Sequence, residues 1–454
     1  MIMKTQKERK TEYIEMDKEK TIVCKFGGTS MADEESVKKV EKIVKSDVSR
    51  KYIVVSAPGR SEKGEKVTDL LVDCFHEIES DGSCDRSFEK VAARFMKVAP
   101  KLEGVENVLR EVKSQMEQNR GYDFCVSRGE YLSALFFAKR IGYEFADAAE
   151  LVRFEKSGYD AAATESLCGK RLQGIRRAVI PGFYGADHTG KIVAFSRGGS
   201  DITGAVVAGA VNADLYENWT DVDGILNADP RIVPEARIID RMTYGELREL
   251  SYLGASVMHP EAILPLIEKN IPLNVRNTFR PREAGTLICS RPKFKGKNTV
   301  TGIAGKKNLL VLFIHKTGLN LQKNILRKVL ETLDSHKISF EHMPSSIDAV
   351  NFVIPEETFP PSEREDVIEE ICRSIKPEQI RILENFSIVS AVGRNMYSSI
   401  GVAGKMSLAL AEAGINIRML IQGCREINII AGVDGEKYET AIKALYNTFL
   451  RKSL

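Results

Sequence analysis

The eight cysteines, Cys24, Cys74, Cys84, Cys125, Cys168, Cys289, Cys372 and Cys424, include no C-x-x-C pair. Scattered over 454 residues, they read as free thiols of a reducing compartment, not as a disulfide framework or a zinc site. No run of about 18 apolar residues occurs, so no membrane-spanning helix is expected. The opening residues 1–20, MIMKTQKERKTEYIEMDKEK, are charged and lack the apolar core of a secretory signal. An excess of one charge is missing too. There are 66 Lys and Arg against 63 Asp and Glu, a net +3, with the signs interspersed. Nothing in that balance calls for nucleic acid or a membrane as partner. These absences predict a cytoplasmic protein.

Enough apolar material is present for real cores, with 43% hydrophobic and 28% charged residues. The length predicts two or three domains. Residues 21–26 (TIVCKF) read as a buried strand running into Gly27, Gly28, Thr29 and Ser30. Residues 33–48 place Val37, Val40, Ile43 and Val44 on one helical face. A second apolar strand (51–57, KYIVVSA) and a second amphipathic helix (67–78) follow. This order predicts a parallel α/β sheet. After a polar, helical middle section the rhythm returns, with strands at 177–182, 213–217 and 271–275 and helices at 200–212, 243–252 and 261–269. Residues 289–298 (CSRPKFKGKN), basic with Pro and Gly, read as a linker.

Beyond the linker one pattern occurs twice: strand, loop, helix, strand, polar turn. LLVLFIHKTGLN, LQKNILRKVLETLDSHK, ISFEHMPSSI and AVNFVIP form the first copy. FSIVSAVGRNMYSSI, GVAGKMSLALAEAG, INIRMLIQGC and EINIIAGV form the second. Each spans roughly 70 to 75 residues, the length of a βαββαβ ferredoxin-like module. The expected division is a polar extension (1–20), a catalytic domain (21–292) and two modules (293–385 and 386–454), the first module's leading strand being able to join the second.

KFGGTS, residues 25–30, ends a strand and precedes a helix. Two glycines there let backbone approach a ligand with N–H groups turned to an oxyanion, and Lys25 adds a mobile cation suited to phosphate. A plain turn would need the same glycines. The turn has neither the G-x-x-x-x-G-K-[ST] nor the G-x-G-x-x-G order. FSRGGSD, residues 195–201, is a second glycine turn, where Arg197 offers a fork for carboxylate or phosphate and Ser200 or Asp201 could cap a helix. SRGE, residues 127–130, places an arginine and a carboxylate at what reads as another helix start, where capping alone is an alternative. Residues 219–237, WTDVDGILNADPRIVPEAR, form a long polar loop after a strand, where α/β folds place ligands.

Together with VVSA, GASVMHPEA (254–262), NVRNTF (274–279) and AEAGINIRMLIQG…EINI, these stretches resemble the aspartate kinases of the amino-acid kinase superfamily. The resemblance runs over about residues 21 to 450 and leaves the first 20 outside. It implies an open αβα sandwich followed by two ACT modules. The activity it implies is transfer of the γ-phosphoryl group from ATP with Mg²⁺ to the β-carboxylate of L-aspartate, opening a route to lysine, threonine and methionine. It also implies these roles: Lys25, with the amides of Gly27 and Gly28, neutralises the moving phosphoryl group, and Asp201 orients Lys25. Arg197, with Ser200 beside it, clamps the aspartate α-carboxylate, Glu130 accepts its ammonium, and Ser56 and Thr68 help to hold it. Thr220, Asp221 and Arg231 belong to the nucleotide loop. No dedicated protein metal site is implied. His315, Gly318, Leu319, Ser339 and Glu341 match the region where an end-product effector, lysine or threonine, binds between subunits of a dimer or tetramer. A carboxylate at Glu341 favours lysine. No dehydrogenase half is expected behind the modules.

Two departures from the family pattern stand out. Ser256 takes the place of a lysine that reaches the nucleotide in many relatives, and a neutral hydroxyl cannot replace that charge. SAPGRSEKGEKVTDLL lengthens the loop between Ser56 and Thr68 with Arg60, Lys63 and Lys66, either a basic lid or a solvated loop. His259, beside Pro260 at a helix start, reads as structural. Two other readings remain open: a superfamily member acting on glutamate, UMP or carbamate, and an amino-acid sensor whose kinase site has decayed.

Overall fold

Every residue of the IVCKF run is buried, which only a strand covered on both faces can satisfy. The computed structural model describes residues 20–60, 65–119, 121–156, 158–196, 198–254, 260–290, 299–322, 324–423 and 427–451. Residues 1–19, Lys63, Arg197, Ser256, His259, Cys424 and most of the expected linker lie outside the described residues. The chain forms two compact units, one of residues up to Ala194 with Thr203–Glu217, the other of Phe195–Ile202 with everything from Asn218 on.

In the first unit β1 (Ile22–Phe26), α1 (Glu34–Lys45), β2 (Arg50–Val55) and α2 (Val67–Asp81) alternate as the apolar periods predict. The side chain of Asp33 starts α1 by accepting from the Ser36 amide at 2.8 Å. The polar middle section folds as α3 (Asp85–Val98), α4 (Val105–Asn119) and α5 (Tyr122–Ile141). With α2 these helices enclose Leu71, Val91, Phe95, Leu109 and Phe136. After β3 (Glu144–Phe145), α6 (Ala161–Leu172), β4 (Ala178–Pro181), α7 (Gly199–Ala210) and β5 (Leu215–Thr220), the strands stand in the order β5-β1-β2-β4-β3. The β1–β2, β2–β4 and β4–β3 pairs are parallel.

A buried fork ties three of these strands together. Arg50 on β2 donates through Nε to Glu217 Oε2 at 2.7 Å and through Nη2 to Oε1 at 3.2 Å, across β1. From β1 itself the Cys24 thiol donates to the same carboxylate at 3.3 Å.

In the second unit β6 (Arg241–Thr243), α8 (Tyr244–Tyr252), β7 (Leu273–Asn277) and β8 (Thr286–Cys289) give the strand order β6-β8-β7-β5. The sheet is parallel through β1, β2, β4 and β3 as the element order predicts, and β7 and β8 add an antiparallel pair to it. Residues 278–285 between them are too few for the crossover that a parallel pair needs.

The repeated tail builds one five-stranded sheet from β9 (Gly302–His315), β10 (Ala349–Pro355), β11 (Gln379–Val392), β12 (Met419–Gln422) and β13 (Asn428–Asp434), in the order β10-β9-β11-β13-β12. Its helices are α9 (Ile325–Ser335), α10 (Pro361–Ile375), α11 (Val402–Glu412) and α12 (Tyr438–Phe449). β9 and β11 each serve two cores. Residues 309–315 of β9 pair with β10, and Leu312, Val329, Phe352 and Ile371 share one core. Residues 302–306 pair with 388–392 of β11, and Ile303 joins Val389, Met406, Ile429 and Leu445 in the other. The strand expected at ISFEHMPSSI is reduced to isolated bridges, His342 to Val353 and Ser345 to Val350. Pro344 stands between them and has no N–H to give a ladder.

Removing one end of the Arg50–Glu217 fork would strand a charge in the core. Arg50→Met should cost about 3–5 kcal/mol of stability, and Arg50→Met with Glu217→Leu should recover a large part of it. Denaturant unfolding of both variants checks this; a double variant no more stable than the single would refute the pairing.

Candidate active site

β1 and β2 are parallel neighbours, so the segments leaving them emerge on one edge. Lys25, at the end of β1, is 8% exposed. The Ser56 amide donates to Phe26 O at 3.1 Å, and the Gly59 amide donates to Gly28 O at 2.8 Å. Gly28 and Gly59 stand back to back: a Cβ on Gly59 would lie 2.7 Å from the Gly28 carbonyl carbon. The turn after β1 is therefore seated directly on the loop after β2. Thr68 is the second residue of α2, half-buried, and Arg60 and Lys66 are exposed.

SRGE lies within α5, not at its start, because the helix begins at Tyr122 behind Gly121. Ser127 is no cap; its hydroxyl donates back to Phe124 O at 2.7 Å. Gly129 has a packing reason, since a Cβ there would meet Ala57 Cβ at 2.8 Å. Without that side chain α5 lies against the loop, and Glu130, 6% exposed, accepts from the Ala57 amide. Arg128 turns elsewhere, its guanidinium 4.3 Å from the Phe124 ring and 4.6 Å from the Tyr131 ring. Phe183, a residue absent from the sequence reading, has φ +76° and donates its amide to Thr203 Oγ1 at 3.2 Å. A bulky residue held in that region is a functional-site signal carried by backbone alone.

In the second unit, Ser200 and Asp201 fall inside the first turn of α7, so neither is its cap. The Asp201 amide donates to Gly198 O at 2.9 Å, and Asp201 Oδ1 accepts from Asn218 Nδ2 at 3.3 Å. Thr220 ends β5, and its hydroxyl donates to Asp221 Oδ1 at 3.2 Å. Arg231 is exposed and held by Asp229 at 2.7 Å. Asn277, 2% exposed, organises this loop although its motif suggested no role. Its amide donates to Asp221 O at 3.2 Å and Asp223 Oδ1 at 2.7 Å, while its oxygen accepts from the Phe279 amide at 2.7 Å.

A family model for the amino acid kinase family matches residues 20–277, and an ACT domain model matches residues 389–449. Aspartokinase 3 of Bacillus subtilis is 31% identical over 446 residues, which span 94% of this chain and 98% of that protein. The crystal structure of Clostridium acetobutylicum aspartate kinase is 43% identical, covers 95% of this chain and 100% of its own, and superposes with a TM-score of 0.86. The chain belongs to the amino acid kinase family, among the aspartokinases. Escherichia coli aspartokinase III, solved in complex with aspartate and ADP, is 26% identical over 95% of this chain and 100% of that one, with a TM-score of 0.74. The same enzyme has been solved with lysine and aspartate.

Within the second unit of this aspartokinase the loop after β5 is anchored in the second ACT core. Ala228, Ile232 and Val233 pack with Ile303, Val389 and Tyr438, and the Tyr446 hydroxyl donates to Glu235 O at 2.9 Å. Glu246 on α8 is 0% exposed and forms a capping box with Thr243. It also accepts from Thr301 Oγ1 at 2.6 Å, the Arg394 amide at 3.0 Å and Arg394 Nη1 at 3.2 Å. Burial would raise its pKa, yet these donors hold it below the ordinary carboxylate value.

The expected effector residues divide into two groups. Gly318 donates its amide to Asp348 Oδ1 at 2.7 Å, Leu319 is buried, and His315 Nδ1 lies 3.5 Å from Glu378 Oε2. His315 faces Ala349, whereas the Glu341 amide donates to Val353 O, four residues along β10 or about 13 Å away. Ser339 is exposed. Neither it nor Glu341 lies on a strand, contrary to expectation. Glu341 Oε1 pairs with Lys306 Nζ at 2.5 Å.

Burial, with the Ala57 amide and Arg128 working against it, pushes the Glu130 carboxyl up to about 7. Its folded pKa lies above the ordinary 4.5, so the stability held by the protonated form is lost as pH rises from 4.5 through about 7. Glu130→Gln should then be more stable than wild type by about 2–3 kcal/mol near pH 8 and by nearly nothing near pH 4.5. Thermal melts at both pH values measure this, and an equal gain at both would refute the shift.

Proposed function

We propose that this chain transfers the γ-phosphoryl group of ATP to the β-carboxylate of L-aspartate, forming 4-phospho-L-aspartate and ADP, under feedback by lysine. The observation that carries the reading is Glu130, a buried carboxylate whose Oε2 has no hydrogen-bond partner among the described residues. It sits against the loop that holds Ser56. A buried carboxylate with an unused oxygen suits a substrate ammonium group. Around that acceptor, Ser56 and Thr68 would hold aspartate, and Arg197 with Ser200 would take its α-carboxylate. The nucleophile is a carboxylate already ionised, so no general base is required. The barrier lies in bringing two anions together, and Lys25 with the amides of Gly27 and Gly28 would neutralise the moving group while Asp201 orients the lysine.

Thr220, Asp221 and Arg231 would hold the nucleotide. Magnesium would be carried mainly by phosphate oxygens, and Thr220 and Asp221 offer the oxygen donors it accepts. No helix among the described residues is long and apolar enough to cross a membrane, which agrees with a cytoplasmic enzyme. The division into a catalytic stretch 21–292 and modules 293–385 and 386–454 belongs to the same proposal. So does a homodimer or homotetramer formed through the modules, whose sheet ends on the β12 edge with Leu420 exposed. Lysine is favoured over threonine as effector on the negative charge of Glu341, one oxygen of which is already paired with Lys306.

Hydroxylamine trapping of the acyl phosphate, with ATP, Mg²⁺ and L-aspartate, tests the activity. Turnover suppressed by millimolar lysine is the expected result. Suppression by threonine alone would overturn the effector assignment, and no turnover under any metal condition would overturn the function in favour of a decayed sensor. Lys25→Ala should lose about 10³-fold or more in kcat with the fold retained; wild-type-like turnover would remove Lys25 from the mechanism. Glu341→Gln should raise the lysine concentration for half-inhibition about tenfold, a loss of about 1.4 kcal/mol, and an unchanged response would exclude Glu341.

A further inference from the structure

Arg94 on α3 is 9% exposed and far in sequence from every residue given a role above. One nitrogen of its guanidinium, Nη2, donates to two backbone carbonyls: Ala32 O at 3.1 Å and Gly59 O at 2.8 Å. Ala32 closes the short 3₁₀ turn Gly28–Met31, and Gly59 belongs to the loop after β2. The two segments already touch through the Gly59 amide on Gly28 O. The same loop presents the Ala57 amide to Glu130, and its Pro58 carbonyl accepts from the Val67 amide at 3.2 Å at the start of α2. The packing of α3 is carried by its neighbours Val91 and Phe95, both fully buried, so the guanidinium is not a core filler.

We infer that Arg94 is a positioning residue for phosphoryl transfer, fixing the spacing between the turn that receives the phosphoryl group and the loop that receives aspartate. The inference rests on the proposed function. A charge-assisted donor shared by two carbonyls holds both segments to one point. Transfer needs the reacting atoms at about 3–3.5 Å, and about 1 Å of misplacement costs about 10²-fold in rate. Without Arg94 the Gly28–Gly59, Ala57–Glu130 and Pro58–Val67 contacts remain, but Ala32 and Gly59 are no longer held to one point. Each substrate keeps its own contacts, and their mutual register is what suffers.

The test compares wild type with Arg94→Met, Arg94→Lys and Gly59→Ala in the hydroxylamine assay, with melting temperature measured in parallel. Arg94→Met should lower kcat about 30- to 100-fold while KM for ATP and aspartate stays within about threefold. Arg94→Lys, which retains a charged donor, should restore at least about fivefold of that loss. Gly59→Ala forces the same two segments apart, so combining it with Arg94→Met should add less than about threefold. A kcat within about threefold of wild type in Arg94→Met, a loss that appears in KM instead, or full additivity with Gly59→Ala would overturn the inference. Should Arg94→Met fail to fold, Arg94→Lys and Gly59→Ala decide: wild-type kcat in both overturns it, and a kcat loss at unchanged KM in Gly59→Ala with a smaller one in Arg94→Lys supports it. A wild-type protein without turnover would defeat the proposed function itself.

Discussion

The contact on which the first unit's site depends is backbone on backbone: the Gly59 amide donating to the Gly28 carbonyl at 2.8 Å. Two glycines face each other: a Cβ on Gly59 would collide with the Gly28 carbonyl carbon at 2.7 Å, and one on Gly28 would be crowded by Ala57 O at 3.1 Å. From that contact the surrounding geometry follows. Parallel pairing of β1 and β2 delivers both segments to one edge. Gly129 then lets α5 close on the loop, which brings the Glu130 carboxylate to the Ala57 amide. Beneath, the Arg50–Glu217 fork fixes β1 between its neighbours, so Lys25 projects from a strand that cannot shift alone.

In the second unit the loop bearing Thr220, Asp221 and Arg231 is continuous with a hydrophobic core. Ile232 and Val233 are 8% and 2% exposed within a cluster drawn from the second ACT module. Close-packed interiors transmit displacement instead of absorbing it, so this loop and that module move as one body or repack together. Glu246 strengthens the link, since one carboxylate both starts α8 and receives Thr301 and Arg394. A second carboxylate of α8, Glu249, accepts from Asn428 Nδ2 at 2.6 Å. The loop after β5, helix α8 and the ACT module are therefore joined through shared packing and hydrogen bonds in this unit.

Much of this was legible in the sequence, and its limits have physical reasons. Strands β1 and β2 and helices α1 and α2 announce themselves by apolar period, and KFGGTS by its glycines. The repeated tail was visible because each copy carries the same order of elements. What one dimension hides is direction and distance. Nothing in NVRNTF tells that β7 will pair antiparallel with β8. SRGE looks like a helix start by its arginine and carboxylate, whereas the missing side chain of Gly129 serves packing inside α5. Asn277 and Glu246 are ordinary polar letters until the fold surrounds them with donors. Glu341 was read as a carboxylate open to an ammonium, yet Lys306, 35 residues earlier, already occupies one oxygen.

Three buried carboxylates show how the fold separates support from chemistry. Glu217 is met by an arginine fork and a thiol. Glu246 is met by two hydroxyls, two backbone amides and a guanidinium, enough to hold its pKa down despite complete burial. Glu130 is equally withdrawn from water but keeps one oxygen without a donor among the described residues, and its pKa rises to about 7. Desolvation is common to the last two; the number of donors decides the sign of the shift. A saturated carboxylate has no capacity left for a ligand, whereas an undersupplied one gains from any cation that reaches it. That difference is why the proposed function assigns a substrate ammonium to Glu130 and not to Glu246.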